Sequence, residues 1–210
     1  MRLEDILGDE LNITVLRWLT AVRGGQSGNQ IAQQVQRNQS SIRKALERLV
    51  ETRVVTRVDI GNSASYALNE ALLLTQAVII PLFQQERKVR TQMAQLLVTA
   101  VQGSGIDAAV LYGSAAHGND FRDIDILVVT ASGTVIETVR DEVLQHTGEI
   151  EPQIGVPINP IVITQDQLKS TTYRALLDEV IRDGVLLAAR NVPAEFARVR
   201  RPPMFSTERP

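Results

Sequence analysis

The 210-residue chain has no cysteine and only two histidines, His117 and His146. Disulfide frameworks and thiolate metal centres are therefore excluded, and a histidine-rich zinc site lacks its ligands. Aromatic residues are sparse at 4%, with Trp18 the single tryptophan. No uninterrupted apolar run approaches the ~20 residues that cross a bilayer, so no membrane partner is expected. The opening MRLEDILGDE is acidic and has no apolar signal core, which makes the cytoplasm the expected location. What is present is ordinary for a packed globular chain: 44% hydrophobic and 22% charged residues. The length suits one large domain or two small ones.

The net charge of −2 conceals a local excess of the opposite sign. Between Arg23 and Arg57 stand Arg23, Arg37, Arg43, Lys44, Arg48, Arg53 and Arg57, against Glu47 and Glu51 alone. A basic stretch in a mildly acidic chain points to a polyanionic partner. The same stretch has helical periodicity. Leu11, Val15, Trp18, Leu19 and Val22 form one apolar face, closed by Gly24-Gly25. NQIAQQVQ is a second, short helix with Ile31, Ala32 and Val35 inward. A third runs through SIRKALERLVET, with Ser40 as N-cap and Ile42, Ala45, Leu46, Leu49 and Val50 buried. Trp18 is expected to pack fully against Leu46 and Leu49.

VVTRV and SASYAL then alternate apolar and polar residues around the turn DIGNS, which predicts a β-hairpin. Three helices and a hairpin make a winged helix-turn-helix, whose third helix enters the DNA major groove. Its exposed side chains would be Gln39, Ser41, Arg43, Lys44 and Arg48, types that contact phosphates and base edges. Arg57 and the hairpin tip Asn62-Ser63 would approach the backbone or minor groove. The stretch from NQIAQQ through Tyr66, Leu68 and Asn69 resembles the winged helix of small regulators of the arsenical-resistance-repressor type. The metal sensing common in that family does not carry over, because its cysteines are absent.

Residues 71–103 are expected to form a connecting helix, interrupted at Pro81, with Leu82, Val89, Met93, Leu96, Leu97 and Ala100 as its apolar stripe. Such a helix can pair with its copy, and winged helices often read two-fold symmetric sites, so a homodimer is expected. Gly103-Ser104-Gly105 marks a boundary.

The chemistry lies in AAVLYGSAAHGNDFRDIDILVV. AAVLY is a buried strand, Gly113-Ser114 ends it, and DIDILVV is the next strand. Side chains alternate along a strand, so Asp123 and Asp125 point to one side. Two carboxylates there can hold Mg²⁺ against a triphosphate, while Gly113 lets backbone approach and Ser114 donates to phosphate oxygens. The pattern resembles the DNA polymerase β-type nucleotidyltransferase superfamily in minimal form, with Gly113, Ser114, Gly118, Asp123 and Asp125 at the matching positions. That resemblance implies a two-metal Mg²⁺ site in which Asp123 and Asp125 ligate both ions. It further implies a nucleoside triphosphate, ATP foremost, and transfer of a nucleoside monophosphate to a hydroxyl. Minimal members commonly act as antitoxins that modify a partner toxin.

This chain departs from the pattern. His117 stands in place of the usual arginine, Arg122 in place of a serine, and the loop before Asp123 is short. The family often has a third carboxylate on a following strand; the candidate strand here is INPIVIT, whose polar residue Asn159 can bind Mg²⁺ through its carbonyl but cannot act as a base. Glu149 and Glu151 could substitute if they lie on a neighbouring strand.

The expectation is thus an α/β (α+β) chain in four parts. Residues 1–70 are the winged helix and 71–103 the connecting helix. Residues 104–190 are a nucleotidyltransferase-like domain with a small mixed sheet, and 191–210 a basic, proline-rich tail without fixed structure. Its partners would be double-stranded DNA, a nucleoside triphosphate and a toxin-like protein. Three functional readings follow: a DNA-binding regulator with nucleotide transfer, one whose degenerate second domain senses a nucleotide or mediates assembly, and a small-molecule nucleotidyltransferase scaffolded by the winged helix.

Overall fold

A computed structural model describes residues 2–61, 63–103, 105–117 and 121–200. The chain divides into two compact units, Met1–Val89 and Arg90–Pro210. The division falls inside the stretch read above as a connecting helix. Among the described residues no helix is long and apolar enough to cross a membrane.

The first unit opens with two short helices, α1 (Leu3–Leu7) and α2 (Glu10–Leu19). Asp9 caps α2 through hydrogen bonds from the Leu11 and Asn12 amides. A two-residue strand β1 (Gln26–Ser27) leads into α3 (Gly28–Gln34), where Ser27 and Gln30 close a reciprocal capping box. α4 (Gln39–Glu51) is capped by Asn38, whose Oδ1 accepts from the Ser40 amide at 2.8 Å. Ser40, expected as the cap, is the second residue of the helix and donates its hydroxyl to the same Asn38 oxygen. The hairpin β2 (Val55–Ile60) and β3 (Ser63–Leu68) completes a sheet of order β1-β3-β2. This is a winged helix.

Its core joins Val15, Leu16, Ile31, Ile42, Leu46, Leu49 and Tyr66. Ile6 of α1 is also fully buried, a contribution not foreseen from the sequence. Trp18 is only partly buried at the rim of this core, and its enclosed Nε1 finds no hydrogen-bond partner among the described residues.

A π turn (Thr75–Ile79) precedes α5 (Ile80–Ala100). The Ile80 amide reaches five residues back to the Thr75 carbonyl. Pro81 follows at once. A proline has no amide hydrogen and crowds the carbonyl four residues behind it, and the widened turn absorbs both effects without ending the helix. Leu82 and Val89 are exposed, contrary to the expected stripe. Phe83 fills the first core instead, and the bidentate Arg17–Glu86 pair holds this end of α5 to α2.

The second unit is built on β4 (Ile106–Tyr112), β5 (Ile124–Thr130), β6 (Ile158–Thr164) and β7 (Val185–Ala189), in the order β6-β5-β4-β7. β5 and β6 run parallel, joined through α6 (Ile136–Ile154), and the other pairs are antiparallel. α6, the end of α5 and the residue that follows it supply Val139, Val143, Leu97 and Val101 to one core layer. α7 (Arg174–Asp183) supplies Leu177 and Val180 to the other. This small mixed sheet with helices on both faces is the α/β architecture expected of the second unit. His146, read as near a helix end, lies well inside α6, which continues through Gly148 and Pro152 to a left-handed cap at Gly155.

The segment after β7 departs from the expected loose tail as far as Arg200. Phe196 and Val199 are buried in the α7 layer. The Leu186 amide donates to the Arg200 carbonyl at 2.9 Å. The Arg200 guanidinium donates to the carbonyls of Ala116, at 3.1 Å, and Asp183, at 2.9 Å. Local composition, rich in proline and arginine, concealed two apolar anchors.

These packing differences set unequal costs. Leu46→Ala should destabilise the protein by about 2–5 kcal/mol, because its site is fully buried. Trp18→Phe should cost about 1 kcal/mol or less, since the N–H it removes has no partner. Chemical denaturation followed by circular dichroism measures both; equal losses would contradict this arrangement.

Candidate functional site

Strand alternation builds the site. Ile124, Ile126 and Val128 enter the α6 layer, whereas Leu127 and Val129 enter the α7 layer. Asp125 shares the second parity, and Asp123, just before β5, continues it. Register brings two neighbours beside Asp125, namely Tyr112 on β4 and Asn159 on β6. The Asn159 amide nitrogen lies 3.4 Å from Asp125 Oδ1 and 3.5 Å from Asp123 Oδ2, at the long limit of hydrogen bonding.

Gly113 follows Tyr112 with a left-handed backbone, φ 69°. A Cβ at this position would sit 2.9 Å from Asp125 Oδ2, so both conformation and space require glycine. Ser114 then starts a 3₁₀ turn (Ser114–His117), steadied by the Ala116 amide on the Gly113 carbonyl and by Arg200 on the Ala116 carbonyl. Thus Gly113, Ser114, Asp123, Asp125 and Asn159 come together. Gly118 lies outside the described residues.

Glu149 and Glu151 do not join them. Both lie on α6, which packs on the opposite side of the sheet, and no strand carries them. Glu151 instead accepts the Ile158 amide at 2.8 Å, pinning the start of β6. Among the described residues, no group of three or more His, Asp or Glu side chains is placed to hold a metal ion. The available donor set is two carboxylates and one carboxamide. Hard oxygen ligands of this kind suit Mg²⁺, which commonly takes one or two carboxylates and completes its shell with water and phosphate. Neither aspartate has an ion-pair partner among the described residues.

Tyr112 was not singled out from the sequence, although its place directly before Gly113 and its parity were readable. Burial pushes its phenol up to about 12, helped by the charges of Asp125, Glu179 and Asp123. It therefore remains a neutral O–H group at any physiological pH.

On α4, Arg43 is exposed and pairs with Glu47 at 3.0 Å, while Gln39 and Lys44 are exposed and Ser41 is half-buried. The Gln39 amide donates to Asn29. Arg48 differs from the exposed group expected, because it turns back onto Asp9 at 2.9 Å and Asn12 at 3.1 Å. On the wing, Arg57 grips Asp59 at 2.8 Å, and this carboxylate raises the guanidinium above its ordinary range. The Ser63 hydroxyl is directed to the Ile60 carbonyl, and Asn62 lies outside the described residues.

No family model matches the chain. Among solved structures it is similar to MepR, a transcription regulator of the Staphylococcus aureus multidrug efflux pump MepA. That match has 23% identity, 46% coverage of this chain and 68% of the other, with a TM-score of 0.34. A mutant of the toxin-antitoxin MntA-HpeT matches at 20% identity, with coverages of 48% and 72% and a TM-score of 0.34. A toxin-antitoxin structure with AMP-PNP matches at 19% identity, with coverages of 48% and 73% and a TM-score of 0.31. Likenesses this distant carry no functional weight.

The tyrosine environment is directly measurable. The chain has three tyrosines, and one should ionise near pH 12 instead of 10 in an ultraviolet titration. The folded state holds this proton where the unfolded state releases it. Stability should therefore fall as pH rises from about 10 to about 12, and Tyr112→Phe should remove both effects.

Proposed function

We propose that this chain is a DNA-binding regulator, acting as a homodimer, whose second unit binds a Mg²⁺–nucleoside triphosphate. The observation that carries the reading is the convergence of Asp123, Asp125 and Asn159 beside the glycine turn at Gly113. Two carboxylates held on one strand face, neither in an ion pair among the described residues, repel each other, and a divalent cation relieves that repulsion. Triphosphate oxygens would complete the coordination shell, with Ser114 and the adjoining backbone beside them. ATP is the nucleotide the sequence resemblance favours.

Binding without nucleotide transfer fits this site better than turnover. Transfer needs a group that accepts the proton of the attacking hydroxyl. Asn159 cannot do so, Glu149 and Glu151 are on the far side of the sheet, and the Tyr112 phenol stays protonated. On this reading the second unit reports nucleotide to a DNA-binding first unit.

Calorimetry should show Mg²⁺-dependent triphosphate binding, abolished in Asp123→Asn/Asp125→Asn while DNA binding persists. Loading the cation neutralises two charges that raise Tyr112, so its titration should move toward lower pH. No triphosphate binding at millimolar Mg²⁺ would sink the reading. Asn159→Asp supplies a third carboxylate within reach of both others and should tighten Mg²⁺ about tenfold or more, the equivalent of about 1.4 kcal/mol. Without metal the same variant should melt lower than the parent, because three like charges then meet.

DNA binding has its own test. Lys44→Ala should weaken binding and lower the salt slope by about 1, as for one lost phosphate contact. Arg48→Ala should chiefly lower thermal stability, since Arg48 is engaged with Asp9 and Asn12. Gel-shift titrations over a range of salt concentrations separate the two; an unchanged slope for Lys44→Ala removes α4 from the interface.

A further inference from the structure

β2 is the outer strand of its sheet, and nothing among the described residues pairs with its free edge. Past Val55 every residue of the strand is exposed, and Val58 and Ile60 are 59% and 62% exposed. An open edge carrying β-branched apolar residues is a template for another strand. The side chains divide by parity. Thr56, Val58 and Ile60 lie on one face, and Arg57 and Asp59 on the other.

The hydrogen-bonding phase follows from the hairpin. Ile60 and Ser63 are paired at its closed end. The pair closing a two-residue loop exchanges hydrogen bonds, and by alternation Thr56 and Val58 also bond inward to β3. The amides and carbonyls of Arg57 and Asp59 therefore face the open edge. A second copy of β2 arriving antiparallel must match outward residues with outward residues. Centring the pair on Arg57 or on Asp59 would set like charges directly opposite. Centring it on Val58 places Arg57 opposite the other copy's Asp59, twice over. The existing Arg57–Asp59 pair of each strand then becomes half of a ring of four alternating charges. Opposite charges across strands stabilise and like charges destabilise, so the register is self-selecting.

We propose that two copies of this chain associate through β2, antiparallel and centred on Val58. Val58 then meets its copy at the axis with Ile60 opposite the other copy's Thr56, while Arg57 and Asp59 satisfy each other on the reverse side. This surface rests on the two-copy reading above and specifies where the copies meet. It also explains a wing whose one arginine is already neutralised by a neighbouring carboxylate, a poor arrangement for gripping phosphate.

The lack of cysteine makes a clean test available. In this register Val58 faces its own copy as a non-hydrogen-bonded pair, with Cα atoms about 4.5 Å apart, within disulfide range. Ile60 is about 13 Å from its copy, four residues along the strand. Full-length Val58→Cys should form an intermolecular disulfide under mild oxidation, and Ile60→Cys should not. Sedimentation gives an independent readout. Arg57→Asp and Asp59→Arg should each weaken self-association about tenfold or more, since both contacts become like-charged. Mixing the two variants should restore association, because each then supplies the charges the other lacks. Both positions are exposed, and circular dichroism melting of each variant confirms the fold.

Comparable cross-linking at both positions, or association unaffected by either charge variant, would overturn this surface and leave the dimer reading standing. A wild-type chain that stays monomeric at all concentrations overturns both. If Val58→Cys does not cross-link but loses DNA affinity, the wing is a nucleic-acid contact and the proposal fails.

Discussion

The two-residue period of β5 governs the second unit. One parity sends Ile124, Ile126 and Val128 into the α6 layer; the other sends Leu127 and Val129 into the α7 layer. The carboxylates of Asp123 and Asp125 belong to the second set and reach the end of the sheet where Tyr112 and Asn159 flank them. A slip of one residue would drive both carboxylates into the apolar α6 layer and put Ile124 in their place at the end of the sheet. The core thus enforces the placement of the polar group, and no dedicated device is needed to hold it.

Within that placement, Asn159 changes the character of the cluster. Its amide nitrogen approaches both aspartates and offers each a partial positive charge. A carboxylate at the same position would add a third negative charge to a site already carrying two. The carboxamide is therefore the milder neighbour when no cation is present. Tyr112 has the complementary constraint: burial and the nearby negative charges both favour its neutral form.

Elements whose signal is local were legible in the sequence. The stripe Ile42, Ala45, Leu46 and Leu49 marks α4, and the alternation around DIGNS marks the wing hairpin. The pairing of Gly113 with Asp-x-Asp located the carboxylates. What escaped depends on partners distant in sequence. Leu82 and Val89 have helical spacing but face solvent, while Phe83 one position away is enclosed. Arg48 sits among basic residues on α4, and only the return of α2 shows that Asp9 and Asn12 occupy it. Asn38 outcompetes Ser40 as a cap because the helix begins two residues earlier than the hydrophobic pattern suggests. Phe196 and Val199 are two apolar residues in a polar stretch, too few to register as a period. Glu149 and Glu151 could be assigned only after α6 was seen to extend past Gly148.

The Arg200 guanidinium joins two backbone carbonyls, Asp183 at the end of α7 and Ala116 in the turn after Gly113. A cation at a helix C-terminus is favourable in itself, so the α7 contact anchors the side chain and leaves another donor for the turn. Mechanically this is a rivet between the end of α7 and the turn after Gly113. Losing it would free the turn after Gly113, whose backbone lies against Asp125, while the Arg200 backbone stays tied to β7 through the Leu186 amide.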